Sequence, residues 1–370
     1  MIRPVTTLCY RILLAVLLLG GASTPLYAKK RGGIEEWQEI KAGGRTSCAR
    51  GAEFSFFYRP GETNKVIVDF MGGGACWDGT TCAKDSATFT DTVDYVRDAY
   101  RTGVEGIYDH SLAENPVKKW HHVVIPYCSG DLHWGNNDVT YTDGTGNNFL
   151  IKHRGAENVK AVLAWVAQKF LQPRKLLVTG CSAGSYASLY WTPKIKEMYK
   201  ASKVMQLGDA GAGVITGDFA REAFPLWQPQ LSAPDWIPEL DPATHDWTSL
   251  SIPEFYQKTS AYYRTKGVEF AQYNSAFDAT QTFFYELMGG QPVDWSAQMI
   301  ESQKTILKSS PNFHTYVAAG EEHCIIPYKR FYSMETQGVK FRDWFADFIG
   351  EKKPAPVFCK NCWQDAPLSE

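Results

Sequence analysis

Ser182 lies at the centre of Gly180-Cys-Ser-Ala-Gly184, a Gly-x-Ser-x-Gly pattern that follows a short apolar run. Small residues on both sides permit a tight turn from a strand into a helix, and such a turn projects the serine hydroxyl from the sheet edge. The following helix would place its free N–H groups and positive dipole end where an oxyanion forms. The pattern therefore predicts a nucleophilic serine. The alternative is a Gly-rich turn whose serine only caps the helix.

A nucleophilic serine needs a base to take its proton and an acid to orient that base. In hydrolases with this turn, the acid and then the histidine follow the serine along the chain. We predict His323 as the base because it lies on the loop after the last strong strand, whereas His314 lies inside that strand. We predict Asp278, just after the preceding strand, as the acid. Asp209, at the end of an earlier strand, is the alternative acid.

Two further loops follow predicted strands and are candidates for binding. Met71-Gly-Gly-Gly-Ala-Cys-Trp77 has three consecutive glycines, which free backbone N–H groups to face a ligand. Its alternative is a flexible turn. Tyr127–Asn136 leaves the predicted sheet at the edge where open α/β sheets bind ligands. We predict Trp77, Asp131 and Trp134 as substrate-binding residues, although polar residues after a strand are also ordinary loop material.

The surrounding pattern alternates strands and helices, which predicts a parallel sheet with helices on its faces. The predicted strands cover residues 54–58, 65–70, 120–126, 174–179, 203–209, 268–273 and 312–319. The predicted helices cover residues 91–101, 155–170, 279–287 and 341–349. Residues 218–266 differ from the rest because prolines punctuate them and tryptophans recur. We interpret this stretch as a cap-like insertion that shapes substrate access.

Composition limits the classes of function. The chain has 370 residues and a formal net charge of −2, so it offers no basic surface for nucleic acid. Its 12 Trp and 19 Tyr suit a cleft for sugars or acyl chains, although a core would absorb most of them. We predict a single domain over residues 29–370. The sequence indicates no cofactor and no resident metal.

The N-terminus is typical of a secretory signal peptide that ends at Ala28, with the apolar run Ile12–Leu19 too short to span a bilayer comfortably. Removing it leaves eight of the nine cysteines, and an even number in an exported protein favours disulfides. Cys76 and Cys82 could close a local loop, and Cys359 and Cys362 could pair with each other or with a distant partner. A zinc site or a redox motif at Cys359-Lys-Asn-Cys362 is disfavoured, because the chain has no second Cys-x-x-Cys and no βαβ pattern follows.

Five motifs in order resemble the pectin acetylesterase and Notum family of secreted serine esterases. They are Asp69-Phe-Met-Gly-Gly-Gly-Ala-Cys-Trp77, Ile125-Pro-Tyr-Cys-Ser-Gly-Asp131, Gly180-Cys-Ser-Ala-Gly184, Phe277-Asp278 and His323-Cys324. The resemblance implies an α/β-hydrolase-like three-layer fold and a triad of Ser182, Asp278 and His323. It also implies an oxyanion hole built from the N–H groups of Gly73, Gly74 and Ala183. Ser185 and Met71 depart from the residues that the family often has, and both adjoin the predicted pocket.

The sequence thus predicts a secreted serine esterase that removes O-acetyl groups from a polysaccharide such as pectin. One alternative is a deacylase that removes a longer acyl chain from a protein or lipid. The other is a catalytically silent glycan-binding protein that keeps the fold. The Trp-rich insertion suits a sugar groove or a lipid pocket equally well, so the sequence alone leaves the acyl group open.

Overall fold

A computed structural model describes residues 37–86 and 88–362 of the chain. The predicted signal peptide lies outside the described residues. Within them, nine strands form one mixed sheet, and four further strands form two small antiparallel pairs. The strands, in chain order, are β1 (Gln38–Lys41), β2 (Ser55–Arg59), β3 (Lys65–Phe70), β4 (His121–Ile125), β5 (Asn137–Thr142), β6 (Asn148–His153), β7 (Lys175–Cys181), β8 (Lys203–Asp209), β9 (Val268–Ser275), β10 (Phe313–Ala318), β11 (Glu335–Thr336), β12 (Val339–Lys340) and β13 (Val357–Phe358).

The main sheet has the strand order β1-β2-β4-β3-β7-β8-β9-β10-β13. The pairs β1–β2 and β2–β4 are antiparallel, and every later neighbour in the sheet is parallel. The carboxyl ends of β3, β7, β8, β9 and β10 therefore meet at one edge. Loops that follow these strands can bring residues distant in sequence to a common site.

Helices cover both faces of this sheet. In chain order they are α1 (Asp94–Thr102), α2 (Gly155–Lys169), α3 (Ala183–Met198), α4 (Gly217–Trp227), α5 (Ile252–Tyr263), α6 (Ala279–Leu287), α7 (Trp295–Ser309), α8 (Arg330–Ser333) and α9 (Phe341–Ile349). None of the helices in the described part of the chain is long and apolar enough to cross a membrane.

Side chains of the central strands alternate between two apolar cores, as a strand buried on both faces requires. On β3, Val66 and Val68 pack in one core with α2 to α5, whereas Ile67 packs in the other with α1 and α9. The same alternation places Asp69 on the side of α1 and α9, fully buried. The predicted α/β-hydrolase-like, three-layer class is confirmed.

The Pro- and Trp-rich stretch 218–266 contains most of α4, all of α5 and three 3₁₀ turns between them. Trp227 and Trp247 are buried in the core instead of lining an open cleft. Within this stretch, only Phe219 of α4 lines the cavity described below. The sequence pattern also missed the β5–β6 hairpin, because its short alternating segments are mostly polar.

All eight cysteines of the described residues form disulfides: Cys48–Cys128, Cys76–Cys82, Cys181–Cys324 and Cys359–Cys362. The two local pairs are among the pairings that the spacing allowed. The two long-range pairs join cysteines 80 and 143 residues apart in sequence. Disulfides of this kind are typical of proteins that fold in an oxidising compartment.

Candidate active site

Ser182 occupies the turn between β7 and α3, with φ 58° and ψ −123°. A non-glycine residue rarely adopts this conformation, so surrounding contacts must hold it. Its backbone N–H donates to the carbonyl oxygen of Asp209 at 2.8 Å, and its own carbonyl accepts from Ser185 N–H at 2.8 Å. The predicted tight turn from strand to helix is therefore present at Ser182, and this elbow is strained and well anchored.

Asp278 and His323 meet at the same edge of the sheet. Asp278 follows β9 and is fully buried, and His323 follows β10. The ring Nδ1 of His323 lies 2.9 and 2.8 Å from the two carboxylate oxygens of Asp278. The opposite nitrogen, Nε2, is buried and has no hydrogen-bond partner among the described residues. A histidine held in this way offers Nε2 as a proton acceptor.

Gln281, in the first turn of α6, bonds to Asp278. Its backbone N–H and its side-chain Nε2 each donate to the carboxylate of Asp278, at 2.9 Å in both cases. Its side-chain oxygen accepts from Ala212 N–H at 2.8 Å. Together with His323, these donors leave Asp278 acting only as an acceptor, which is the role of an ionised carboxylate.

The disulfide Cys181–Cys324 joins the residue before Ser182 to the residue after His323. Ser182 and His323 therefore have a short covalent connection although they lie far apart in sequence. Cys324 itself has a positive φ of 62°. Two strained backbone positions thus flank the disulfide, and such strain persists only where other contacts fix it.

Ser182 and His323 line one cavity together. Its walls are mainly apolar and come from the loop after β3, from α3, from the segment leading into α4, and from α6 and its surroundings. The lining residues are Gly74, Ala75, Leu132, Ser182, Ala183, Tyr186, Ala210, Val214, Ile215, Phe219, Thr280, Gln281, Phe284, Tyr285, Met288, Trp295 and His323. The volume of the cavity, counted as the space open to the centres of water-sized groups, is about 50 Å³.

Two of the three predicted oxyanion-hole residues, Gly74 and Ala183, line this cavity beside Ser182, and Gly73 does not. Gly74 has φ 79°, and a Cβ there would lie 1.9 Å from a backbone oxygen. A Cβ on Gly72 would lie 2.8 Å from the Cβ of Ser182. Only glycine therefore lets the loop after β3 approach the serine so closely.

The predicted substrate-binding residues lie outside the cavity lining. Asp131 is buried, and its carboxylate accepts from the Ser129 hydroxyl and from backbone N–H groups of its surroundings. Trp134 is buried and stacks on Tyr190. Trp77 is buried too, but it contacts Phe219, which does line the cavity, with ring centroids 4.9 Å apart. The structure thus gives Asp131 a role in holding its own loop.

The two residues that competed for triad roles have other partners. His314 is bonded to the carbonyl of Pro354 and to Glu269. Asp209 is buried, and its carboxylate accepts from the backbone N–H groups of Ile325 and Ile326. Neither contacts the ring of His323 through a hydrogen bond.

The two positions that depart from the resemblance, Ser185 and Met71, also lie outside the cavity lining. Ser185 is buried under the elbow, where Gly208 and Gly211 leave room for its side chain. Its hydroxyl has no hydrogen-bond partner among the described residues. These two departures therefore do not shape the cavity wall.

Sequence reasoning missed Gln281 and the aromatic residues of α6. The spacing Asp278-Ala-Thr-Gln281 places an acidic N-cap three residues before a glutamine, which resembles a capping box. That spacing indicates contact between the two side chains. The pattern of α6 did not indicate that Phe284 and Tyr285 line a cavity, since an apolar helix face more often packs in a core.

Two groups of residues among those described have a spacing that would suit a metal ion: Cys76, Cys82 and His153, and Cys181, His323 and Cys324. In both groups the two sulfur atoms form a disulfide. A disulfide sulfur is not a thiolate, the form in which cysteine binds metals.

Parts of the chain are similar in sequence to known esterases. A region of 204 residues is 26% identical to palmitoleoyl-protein carboxylesterase NOTUM of Drosophila melanogaster, and covers 49% of this chain and 30% of that protein. A region of 147 residues is 24% identical to pectin acetylesterase 5 of Arabidopsis thaliana, and covers 38% of this chain and 33% of that protein. The matched regions thus span about a third of the length of these relatives.

The fold is similar to a crystal structure of the Wnt deacylase Notum from Drosophila, with a TM-score of 0.68 and 17% identity over 90% of this chain and 100% of that chain. A second crystal form gives a TM-score of 0.66. The pectinacetylesterase family model matches residues 39–223, half of the chain, a range that includes the glycine-rich loop and Ser182. The chain belongs to the pectinacetylesterase family of ester hydrolases.

Proposed function

We propose that the protein is a serine esterase with Ser182 as nucleophile, His323 as general base and Asp278 as the acid that orients it. One observation carries this proposal. His323 is bonded through Nδ1 to a buried carboxylate, while its unpartnered Nε2 belongs to a residue that shares a cavity with the strained Ser182. A base with one nitrogen fixed and the other free is what acyl transfer from an ester requires.

In the proposed reaction, His323 Nε2 takes the hydroxyl proton of Ser182 as Oγ forms a bond to the ester carbonyl carbon. The N–H groups of Ala183 and Gly74 donate to the resulting oxyanion, and Asp278 stabilises the imidazolium. His323 then gives its proton to the departing alcohol oxygen, and the carbon–oxygen bond breaks. Water attacks the acyl-enzyme by the same route and releases the carboxylic acid.

The size of the cavity favours a short acyl group. One water molecule needs at least about 10–15 Å³ of space for its centre, so 50 Å³ leaves room for a group the size of acetyl. The apolar wall suits a methyl group, and we therefore propose acetate as the released acid.

We further propose an acetylated polysaccharide such as pectin as the substrate and an extracellular or periplasmic location. The name of the Arabidopsis relative supports the first proposal. Phe283, half exposed on α6 next to the cavity-lining Phe284, offers a ring on which a sugar can stack. The four disulfides support the second proposal, because they fit an oxidising compartment.

Two measurements on the folded protein test the proposal. Wild type should hydrolyse aryl acetate, and Ser182→Ala should lose this activity while keeping the same circular dichroism spectrum and Tm. Unchanged hydrolysis by Ser182→Ala would refute the triad. A fluorophosphonate should label wild type at Ser182, and absence of labelling would instead favour a silent glycan-binding protein.

A series of aryl esters from acetate to palmitate, together with acetylated pectin, tests the acyl group and the alcohol. We expect kcat/KM to be highest for acetate and to fall as the chain lengthens beyond a few carbons. Acetate release from pectin should exceed release from acetylated xylan. A preference for palmitate would replace acetyl removal by long-chain deacylation.

A further inference from the structure

Asp209 connects the nucleophile turn to the loop that carries the base. Its backbone carbonyl accepts from Ser182 N–H at 2.8 Å. Its carboxylate accepts from Ile325 N–H at 2.8 Å and from Ile326 N–H at 2.9 Å, two and three residues after His323. The buried Asp209 thus contacts both the turn of Ser182 and the loop of His323, without a hydrogen bond to the histidine ring.

Arg330 holds the same loop from its other side. Its guanidinium donates to the carbonyl oxygen of His323 at 2.6 Å and to that of Cys324 at 2.8 and 3.0 Å. It also forms an ion pair with Glu322 at 2.9 Å. Backbone N–H groups of the loop therefore donate to Asp209, and backbone carbonyl groups of the loop accept from Arg330. The loop consequently has little freedom to rotate about Cys324.

The electrostatics agree with this arrangement. Burial raises the pKa of Asp209 to about 7, and the amide donors of Ile325 and Ile326 and the charges of His323 and Arg330 act in the opposite direction. A carboxylate that is costly to bury remains favourable only where donors such as these compensate it.

We propose that Asp209 and Arg330 are positioning residues, which fix the loop of His323 at the distance from Ser182 that proton transfer needs. This inference rests on the proposed triad. A misplacement of about 1 Å can lower the rate of an enzyme by about 100-fold. The disulfide Cys181–Cys324 restrains the same loop at one point, and Asp209 and Arg330 set its orientation around that point.

The test uses Asp209→Asn and Arg330→Gln in the full-length enzyme. In Asp209→Asn, the amide group has one acceptor oxygen and opposes one backbone N–H with its own donors. Arg330→Gln removes most of the donors to the two carbonyls at a site where the arginine side chain is 25% exposed, so this variant should fold. We expect each to lower kcat by about 10- to 100-fold with little change in KM.

Matched controls separate positioning from stability. Asp69→Asn changes another fully buried aspartate, and Arg342→Gln changes another arginine of similar exposure, 26%, that bonds only acidic side chains. Both should keep wild-type kcat. Rates are divided by the concentration of active sites, counted with a fluorophosphonate, so that loss of folded protein does not lower the apparent kcat.

The outcomes distinguish the two proposals. Wild-type kcat in both Asp209→Asn and Arg330→Gln, with an inactive Ser182→Ala, would overturn the positioning role and leave the triad intact. Full activity of Ser182→Ala would overturn the triad itself. Should Asp209→Asn not fold, wild-type kcat in Arg330→Gln would still overturn the proposal, and a loss of kcat with unchanged KM would support it.

Discussion

Two buried aspartates in this molecule each bond to a histidine, and the two pairs differ in what surrounds them. Asp278 lies 2.8 Å from His323 at the sheet edge, where the ring is partly exposed to the cavity. Asp69 of β3 lies 3.0 Å from His122 of β4, and both are fully buried in the core under α1 and α9. Identical residue types at similar distances thus occur in a candidate site and in a structural core.

The hydrogen bonds of the core pair fix its protons. His110 Nδ1 lies 3.0 Å from the carbonyl of Lys118, which only accepts, so this nitrogen carries the hydrogen. A neutral His110 then accepts at Nε2 from His122 Nδ1–H, at 3.2 Å. His122 in turn accepts at Nε2, which requires a protonated Asp69 as the donor. Burial raises the pKa of Asp69 to about 7 and lowers the pKa of His122 to about 3, in agreement with a neutral pair.

In the pair at the cavity, the histidine is the hydrogen-bond donor and the aspartate is the acceptor. Asp278 accepts from Gln281 at both its backbone and its side chain, so the hydrogen between Asp278 and His323 belongs to the ring nitrogen. The remaining nitrogen of His323 forms no hydrogen bond within the part of the chain that the structure describes. The hydrogen-bond partners around an Asp–His pair, and not the pair itself, therefore determine whether the histidine is able to act as a base.

Substitution by asparagine should have a large effect on catalysis at Asp278 and almost none at Asp69. We expect Asp278→Asn to lower kcat for aryl acetate by about 10⁴-fold, because an amide cannot stabilise the imidazolium and favours the wrong ring tautomer. The measurement is kcat per active site at pH 8. A loss smaller than tenfold would mean that Asp278 is not the acid of a triad.

A smaller loss of kcat should follow from removing the side chain of Gln281, which donates to the carboxylate of Asp278. Gln281→Ala removes the side-chain donor at 2.9 Å, and we expect kcat to fall by between about 10- and 100-fold. Gln303→Ala serves as the control, because Gln303 is a buried glutamine whose side chain bonds to Gln272 and Thr315 away from the cavity lining. This control should lose stability and keep kcat, and equal kcat losses in the two variants would contradict the assignment.

The strand ends were predictable from the sequence, and the contacts between their loops were not. The bounds of β3, β8, α6 and α9 match the predictions, because each has a clear period and clear breaking residues. The spacing of strand and loop therefore placed Asp278 and His323 correctly at one sheet edge. Whether they act as a triad stays a prediction.

The rest depended on long-range contacts that a local pattern does not encode. Asp209 meets Ile325 across 116 residues, and Cys181 meets Cys324 across 143. Asp131 obeyed the rule that polar residues follow strands, but backbone donors occupy its carboxylate. A position at the sheet edge does not determine whether a side chain faces the cavity or the loop, since both satisfy a polar group.

The core pair should reveal itself in the dependence of stability on pH. Burial lowers the pKa of both His110 and His122 to about 3, against an ordinary value of 6.5. The unfolded chain therefore takes up protons at these histidines as the pH falls from about 6.5 towards 3, and the folded protein does not, so their contribution to stability is lost in that range. Asp69 acts oppositely, because the folded protein keeps its proton up to about pH 7.

If one histidine is replaced, the remaining histidine and Asp69 should nearly cancel in their effects on how stability depends on pH. With His122→Asn, we expect the free energy of unfolding to fall less steeply than in wild type between pH 7 and pH 5, by about one proton. Urea denaturation at several pH values measures the slope. Equal slopes in the two proteins would mean that His122 takes up a proton at the same pH in the folded protein as in the unfolded chain.

The smallest loss of stability and activity should be that of Asp69→Asn. This variant tests most directly whether Asp69 is protonated in the folded protein. A neutral carboxyl group donates one hydrogen to His122 Nε2, and an asparagine amide of nearly the same shape can donate in its place. We therefore expect Asp69→Asn not to lower the free energy of unfolding at pH 7, because the amide is neutral in both states and needs no proton on folding. Asp69→Leu leaves that nitrogen without a donor and should be about 1–3 kcal/mol less stable than Asp69→Asn. Urea denaturation of both variants gives the two values, and kcat should stay at the wild-type level in Asp69→Asn. If Asp69 were ionised in the folded protein, the amide would replace a charged partner of a protonated His122. Asp69→Asn would then destabilise the fold as strongly as Asp69→Leu, and the core pair would resemble the pair at the cavity.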